Sequence, residues 1–124
     1  MVSEPLKPNM YTYSKIITSS TSEAQLTLNL IEFRNAVISS LYIEEPKLGS
    51  LTLGFSQGKL VDRSVIFQGK NEEMASSLAL ILAKQTGKFV YSSVNLPSEW
   101  SVSLEFVREL VDQYKKEKHE AGTK

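Results

Sequence analysis

At Asn71 the spacing of the apolar residues changes from that of a strand to that of a helix, and this switch limits the folds open to the chain more than any other feature. Before it, Leu26, Leu28 and Leu30 alternate with Thr27 and Asn29, a second strand-like run spans about Ala36 to Ile43, and a third carries Leu51, Leu53 and Phe55 on one face. "EEPKLGS" has the turn chemistry to separate the second run from the third. "SVIFQG", β-branched and aromatic, reads as a fourth strand. From Asn71, "NEEMASSLALILAKQTG" offers an N-cap candidate, Glu72 and Glu73 in the first turn, Lys84 near the end and Gly87 just past it. Met74, Leu78, Ile81 and Leu82 recur at helical spacing, and Ala75, Ala79 and Ala83 let that side approach a sheet closely. "KFVYSSV" predicts a fifth strand, ended by "NLPS". A second helix, beginning at Ser98 or Ser101, carries the stripe Leu104, Val107, Val111 and Tyr114. The expected fold class is α+β: a mainly antiparallel sheet of five to six strands with two helices on one face.

The second face then needs a cover. Five strands at ~4.8 Å spacing make a layer ~24 Å wide, and two helices of ~10 Å diameter shelter one side of it. Yet several strands are apolar on both parities: Val37, Leu41 and Ile43 against Ile38 and Tyr42, Val65 and Phe67 against Ile66, Phe89 and Tyr91 against Val90 and Val94. A sheet with one wet face alternates more cleanly into polar residues. The cover is either the chain's own N-terminal segment, with Met10, Tyr11, Tyr13, Ile16 and Ile17, or another protein, so the second face is expected to serve dimerisation. Residues 1–23, with two prolines and "TSSTSE", are expected to be a flexible segment, 24–118 the single folded domain and 119–124 a flexible tail.

Candidate chemistry is sparse. Gly87-Lys88 closes a helix instead of opening one and lacks the GxxxxGK pattern of a phosphate cradle. Ser92 and Ser93 stand near a strand end without a GxSxG elbow, and the only histidine, His119, lies among tail charges where nothing holds it near a serine. The pairs Glu44–Glu45 and Glu72–Glu73 are adjacent in sequence and do not converge as an acid/base dyad would. Tyr91 and Trp100 are expected to pack in the core or an interface, not to stack on a base or sugar. Cysteine is absent, so no thiolate nucleophile or usual structural zinc site exists, and no calcium loop is present. No catalytic, cofactor-binding or metal-binding residue is expected. The 14 basic residues balance 14 acidic ones, leaving no net field to draw in nucleic acid or an anionic membrane. Without a secretory h-region or a run of ~20 apolar residues, the chain reads as soluble and intracellular.

Leu82-Ala83-Lys84, Thr86, Lys88, Val90-Tyr91, Ser93, Asn95-Leu96, Pro97 and Ser98 together form a helix-to-strand segment that resembles the proteasome assembly chaperone 4 family. The resemblance runs on through "SEWSVSLEFVREL" and, more loosely, back over Leu26 to Phe55, covering about Ala24 to Tyr114. It implies a small non-enzymatic α+β subunit that pairs with a proteasome assembly chaperone 3-like subunit, by stacked sheets with helices outside. The heterodimer would then help order α-subunits of the 20S core particle, in the cytoplasm and also the nucleus. An adaptor domain of the longin or roadblock kind, working in a trafficking complex, is the alternative, since it too joins a meander to helices. Ile38, Tyr42, Ile66, Val90 and Ser92 share a parity within their strands and are the expected partner interface. Relative phase between strands is not readable from one sequence, which leaves open which face they occupy.

Overall fold

Alternation becomes a six-stranded mixed sheet in the computed structural model, which describes residues 7–57, 60–67, 69 and 71–122. The elements follow the chain as β1 (Asn9–Thr18), β2 (Glu23–Glu32), β3 (Ala36–Ile43), β4 (Ser50–Gln57), β5 (Leu60–Phe67), α1 (Glu72–Thr86), β6 (Phe89–Asn95) and α2 (Leu104–Gly122). Their order across the sheet is β1-β2-β3-β6-β4-β5. The late strand β6 enters between β3 and β4, parallel to β3 and antiparallel to β4, so the first strands are not a simple meander. The other pairings are antiparallel.

The register sorts the side chains into two faces. Leu26, Leu28 and Leu30 of β2 stand beside Ile43, Leu41 and Ser39 of β3, and Val37 and Leu41 stand beside Val90 and Val94 of β6. These residues are buried, and with Leu78, Leu82, Val107, Leu110 and Tyr114 they form the core between the sheet and the two helices. Small residues let α1 come close: Ala75, Ser76, Ala79 and Ala83 are buried on its sheet side. A β-carbon at Gly54 of β4 would stand 2.6 Å from the Ala79 carbonyl oxygen, so the strand has no room for a side chain there. Ser39, Ser92 and Thr52 are lateral neighbours in this layer, buried, with hydroxyls that lack a hydrogen-bond partner.

The helix ends differ in part from expectation. Gly87 adopts the left-handed conformation (φ 69°) that glycine accepts without strain, and its N–H donates to the Ala83 carbonyl at 2.8 Å, closing α1 as predicted. Asn71 precedes α1 but does not cap it with its side chain. Its Oδ1 instead accepts from the Leu96 N–H at 2.9 Å, tying the end of β6 to the start of the helix. The second helix starts later than Ser98 or Ser101: Leu104 is its first residue, and the Ser103 hydroxyl accepts from the Phe106 N–H.

The largest correction concerns the N-terminal segment. Residues 1–6 lie outside the described residues, but 9–18, expected to be flexible, form the edge strand β1 along the whole of β2. They neither float nor fold over the second face. Tyr13 and Ile17 are buried in the core under α2, and Tyr11 packs against it, while Met10 and Ile16 extend the opposite face. Lys15 clamps β1 to α2 through Glu109 at 2.9 Å and lies over the Phe106 ring, and the Tyr13 hydroxyl donates to Glu117 at 2.6 Å. Of the expected tail, His119 to Gly122 continue α2, and residues 123 and 124 lie outside the described residues.

Candidate functional site

Both helices pack on one side of the sheet, and the other side is open. Its centre is one transverse row, in register from strand to strand: Met10, Ile31, Ile38, Tyr91 and Leu53, ending at Ser64. Beside it Phe89 meets Phe55, ring centroids 6.3 Å apart. Met10 is 74% exposed, Phe89 53%, Ile38 42% and Tyr91 40%. On the other side the next row is polar. Ser93, Ser40, Asn29 and Thr12 follow one another across four strands, and Thr12 and Asn29 join side chains at 2.8 Å. The open face is therefore an apolar band that widens through Phe89 and Phe55 on one side and meets hydroxyls and amides on the other. Large exposed apolar patches of this kind on a folded domain mark interaction surfaces.

The expected interface residues divide between the two faces. Ile38 and Ile66 are exposed, the first at the middle of the band and the second on edge strand β5 at an irregularity of the β4–β5 register. Tyr42 shares a face with Ile38 but is 8% exposed, its hydroxyl accepting from Asn29 Nδ2 at 2.8 Å. Val90 and Ser92 are wholly buried beneath the helices and cannot meet a partner on the open face. The reason is phase: Ile38 pairs with Tyr91, so the odd-numbered residues of β6 lie beside the even-numbered residues of β3. Phe89 and Tyr91 are the β6 residues exposed on the open face, in place of Val90 and Ser92.

Ser93, weighed above as a nucleophile, and Asn95 have structural work. The Ser93 hydroxyl accepts from the Gly49 N–H at 2.9 Å, and Asn95 Nδ2 donates to the Leu48 carbonyl at 3.1 Å, so both fix the approach to β4. His119 is exposed on α2. Among the described residues no group of three or more His, Cys, Asp or Glu could hold a metal ion, and no helix is long and apolar enough to cross a membrane.

One buried ionic centre was invisible in the sequence. Glu32, at the end of β2, is 5% exposed and takes Lys88 Nζ at 2.8 Å and Lys118 Nζ at 2.9 and 2.8 Å, joining β2, the start of β6 and α2. Burial alone would raise its carboxyl, but the hydrogen bonds and charges of Lys118 and Lys88 outweigh it and hold it below the usual carboxylate range. Around it Tyr11, Tyr13 and Tyr114 pack ring on ring. Burial first, then the negative charge of Glu32, pushes the Tyr114 phenol well above its usual range. Its hydroxyl has no well-formed hydrogen bond, although that carboxylate lies near enough to act on it.

No protein-family model matches the chain, and no curated protein matches it in sequence. Solved structures do match it in fold. One is a chain from the crystal structure of a novel chaperone complex for yeast 20S proteasome assembly. It superposes with a TM-score of 0.63 over 87% of this chain and 97% of that one, at 14% sequence identity. At that identity the likeness is one of architecture.

Proposed function

We propose that the chain is a non-enzymatic assembly chaperone. It pairs through the open face of its sheet with a related small subunit, like proteasome assembly chaperone 3, and the pair promotes α-ring assembly of the 20S proteasome by binding α-subunits. The observation that carries this reading is the uncovered apolar band, which crosses the sheet from Met10 to Leu53. Six strands span about 29 Å, and strands of this length run about 25 Å, so two such faces in contact would bury about 1,450 Å² in total. That falls in the range of specific, stable interfaces. The helical face has no comparable need of a cover, since its apolar residues are already inside the core. The shared fold with a chain of a proteasome assembly chaperone complex and the resemblance of the Leu82–Ser98 segment to the chaperone 4 family point the same way.

The mechanism is geometric. The pair holds an α-subunit surface that is free only before the ring is complete, and leaves as further subunits arrive. It favours the correct intermediate only by the difference between its affinities for that intermediate and for its competitors. The work belongs in the cytoplasm and nucleus, where such intermediates would be met.

Native mass spectrometry of the chain mixed with a chaperone 3-like subunit tests the pairing, with a one-to-one complex expected. Immobilised pair should then retain free α-subunits and let mature 20S particles pass. Components that stay separate in the spectrometer, or a pair that ignores α-subunits, would defeat the proposal.

A further inference from the structure

The helical layer has a charged groove of its own. Between α1 and α2, on the outer surface, two adjoining hollows of about 480 and 540 Å³ share Gln85, Asp112 and Lys115. Lys84 and Arg108 line the first, and Lys116, Lys118 and His119 the second. Lys118 is spent on Glu32. Lys84, Arg108, Lys115 and Lys116 are exposed and have no ion pair among the described residues. Two acidic residues of α2 are engaged elsewhere: Glu109 binds Lys15 and Glu117 accepts from Tyr13, both on β1. Of the seven described lysines and arginines without an ion pair, Lys84, Arg108, Lys115 and Lys116 thus line this one groove, where Asp112 is the one acidic lining residue. The floor is apolar, with Val111 buried and Ile81 half-buried.

We propose that this groove binds an acidic, partly apolar segment of a protein partner, with carboxylates on Lys84, Arg108 and Lys115 and an apolar side chain over Ile81 and Val111. From Arg108 to His119 the groove runs about 16 Å along α2, enough for about five extended residues. Charge complementarity chooses the sign of the ligand, and the floor chooses its class. A nucleic-acid strand needs an unbroken cationic track and aromatic platforms for its bases, whereas Asp112 interrupts this track and no Phe, Tyr or Trp lines either hollow. A membrane surface cannot reach the recessed Val111. The groove lies on the layer opposite the open sheet face, so the inference stands whether or not the sheet pairs with another subunit.

The probe is a fluorescent peptide of about ten residues alternating Glu and Leu, followed by anisotropy. Its Gln/Leu counterpart, a single-stranded oligonucleotide and vesicles containing phosphatidylserine serve as competitors. The acidic peptide should bind at least about tenfold tighter than the Gln/Leu peptide, and Arg108→Glu with Lys115→Glu should cost about tenfold or more. Asp112→Asn should tighten binding about threefold, and raising salt from about 50 to about 200 mM should weaken it. These residues are exposed, and circular dichroism checks that the variants stay folded. Equal binding of the two peptides, no binding of either, indifference to the double reversal in folded protein, or an oligonucleotide or vesicle that competes as well as the acidic peptide overturns the inference.

Discussion

Glu32 offers a prediction in which the order of the effects matters more than any one of them. Replacing it by Gln keeps the shape and removes the charge. Of the three hydrogen bonds that the carboxylate accepts from the two lysines, those to the oxygen that becomes an amide nitrogen are lost, each worth about 1.5 to 3 kcal/mol, but so is the desolvation cost of a carboxylate that is 5% exposed. The lysine side chains, 23% and 39% exposed, can turn to water, which lowers the loss further. Glu32→Gln should therefore cost about 1 to 2 kcal/mol. Lys88→Met with Lys118→Met removes both cations and leaves the anion bare in the interior, which should cost about 3 to 5 kcal/mol. Adding Glu32→Gln to that pair should restore stability to about the level of Glu32→Gln alone. The pH dependence has a definite sign. The folded carboxyl titrates below its unfolded value, so the folded state binds fewer protons and stability rises with pH in that window. The contribution is complete above the ordinary glutamate range, about 4.3, and is lost as pH falls through the lowered folded value. Urea unfolding followed by circular dichroism, from neutral pH down to about pH 3, reads both effects. A double-lysine variant no less stable than Glu32→Gln, or parallel pH profiles for Glu32→Gln and the wild type, would refute the reasoning.

Ile38→Asp should leave the isolated chain within about 0.5 kcal/mol of wild type, because the site is open to water, yet weaken pairing with the second subunit about a hundredfold or more by burying a carboxylate in the band. Native mass spectrometry at matched concentrations distinguishes these outcomes. Gly54→Ala should destabilise the fold by about 1 to 3 kcal/mol, since the new methyl meets the α1 backbone at Ala79, and thermal unfolding will report it. Ser92→Ala should stabilise by about 1 kcal/mol in the same assay, because it deletes a buried hydroxyl that no hydrogen bond compensates.

Elements whose signal is local were legible. The alternation of Leu26, Leu28 and Leu30 became β2, and Gly87 ended α1 in the left-handed conformation. β1 carried the same alternation, with Tyr11, Tyr13 and Ile17 inward against Thr12 and Ser14. Flanking prolines and serines hid it, and an edge strand has only one neighbour to demand it. What depended on distant pairing was not readable. Nothing near Val90 reveals that its strand will lie parallel to β3 with Tyr91 opposite Ile38, and this one fact moved two expected interface residues into the core. Glu32 was hidden for the same reason: a glutamate at a strand end looks solvated until Lys88 and Lys118 are brought to it by the fold.

The insertion of β6 between older neighbours sets a timetable for biosynthesis. A ribosome releases β1 to β3, then β4, β5 and α1, before it releases the strand that joins the two halves. Until then each half has a bare inner border of unsatisfied N–H and carbonyl groups, a ready template for wrong pairing. On this topology the capture of a late insert by borders made long before is expected to be the slow event, and a chain stalled short of Phe89 would expose both borders at once.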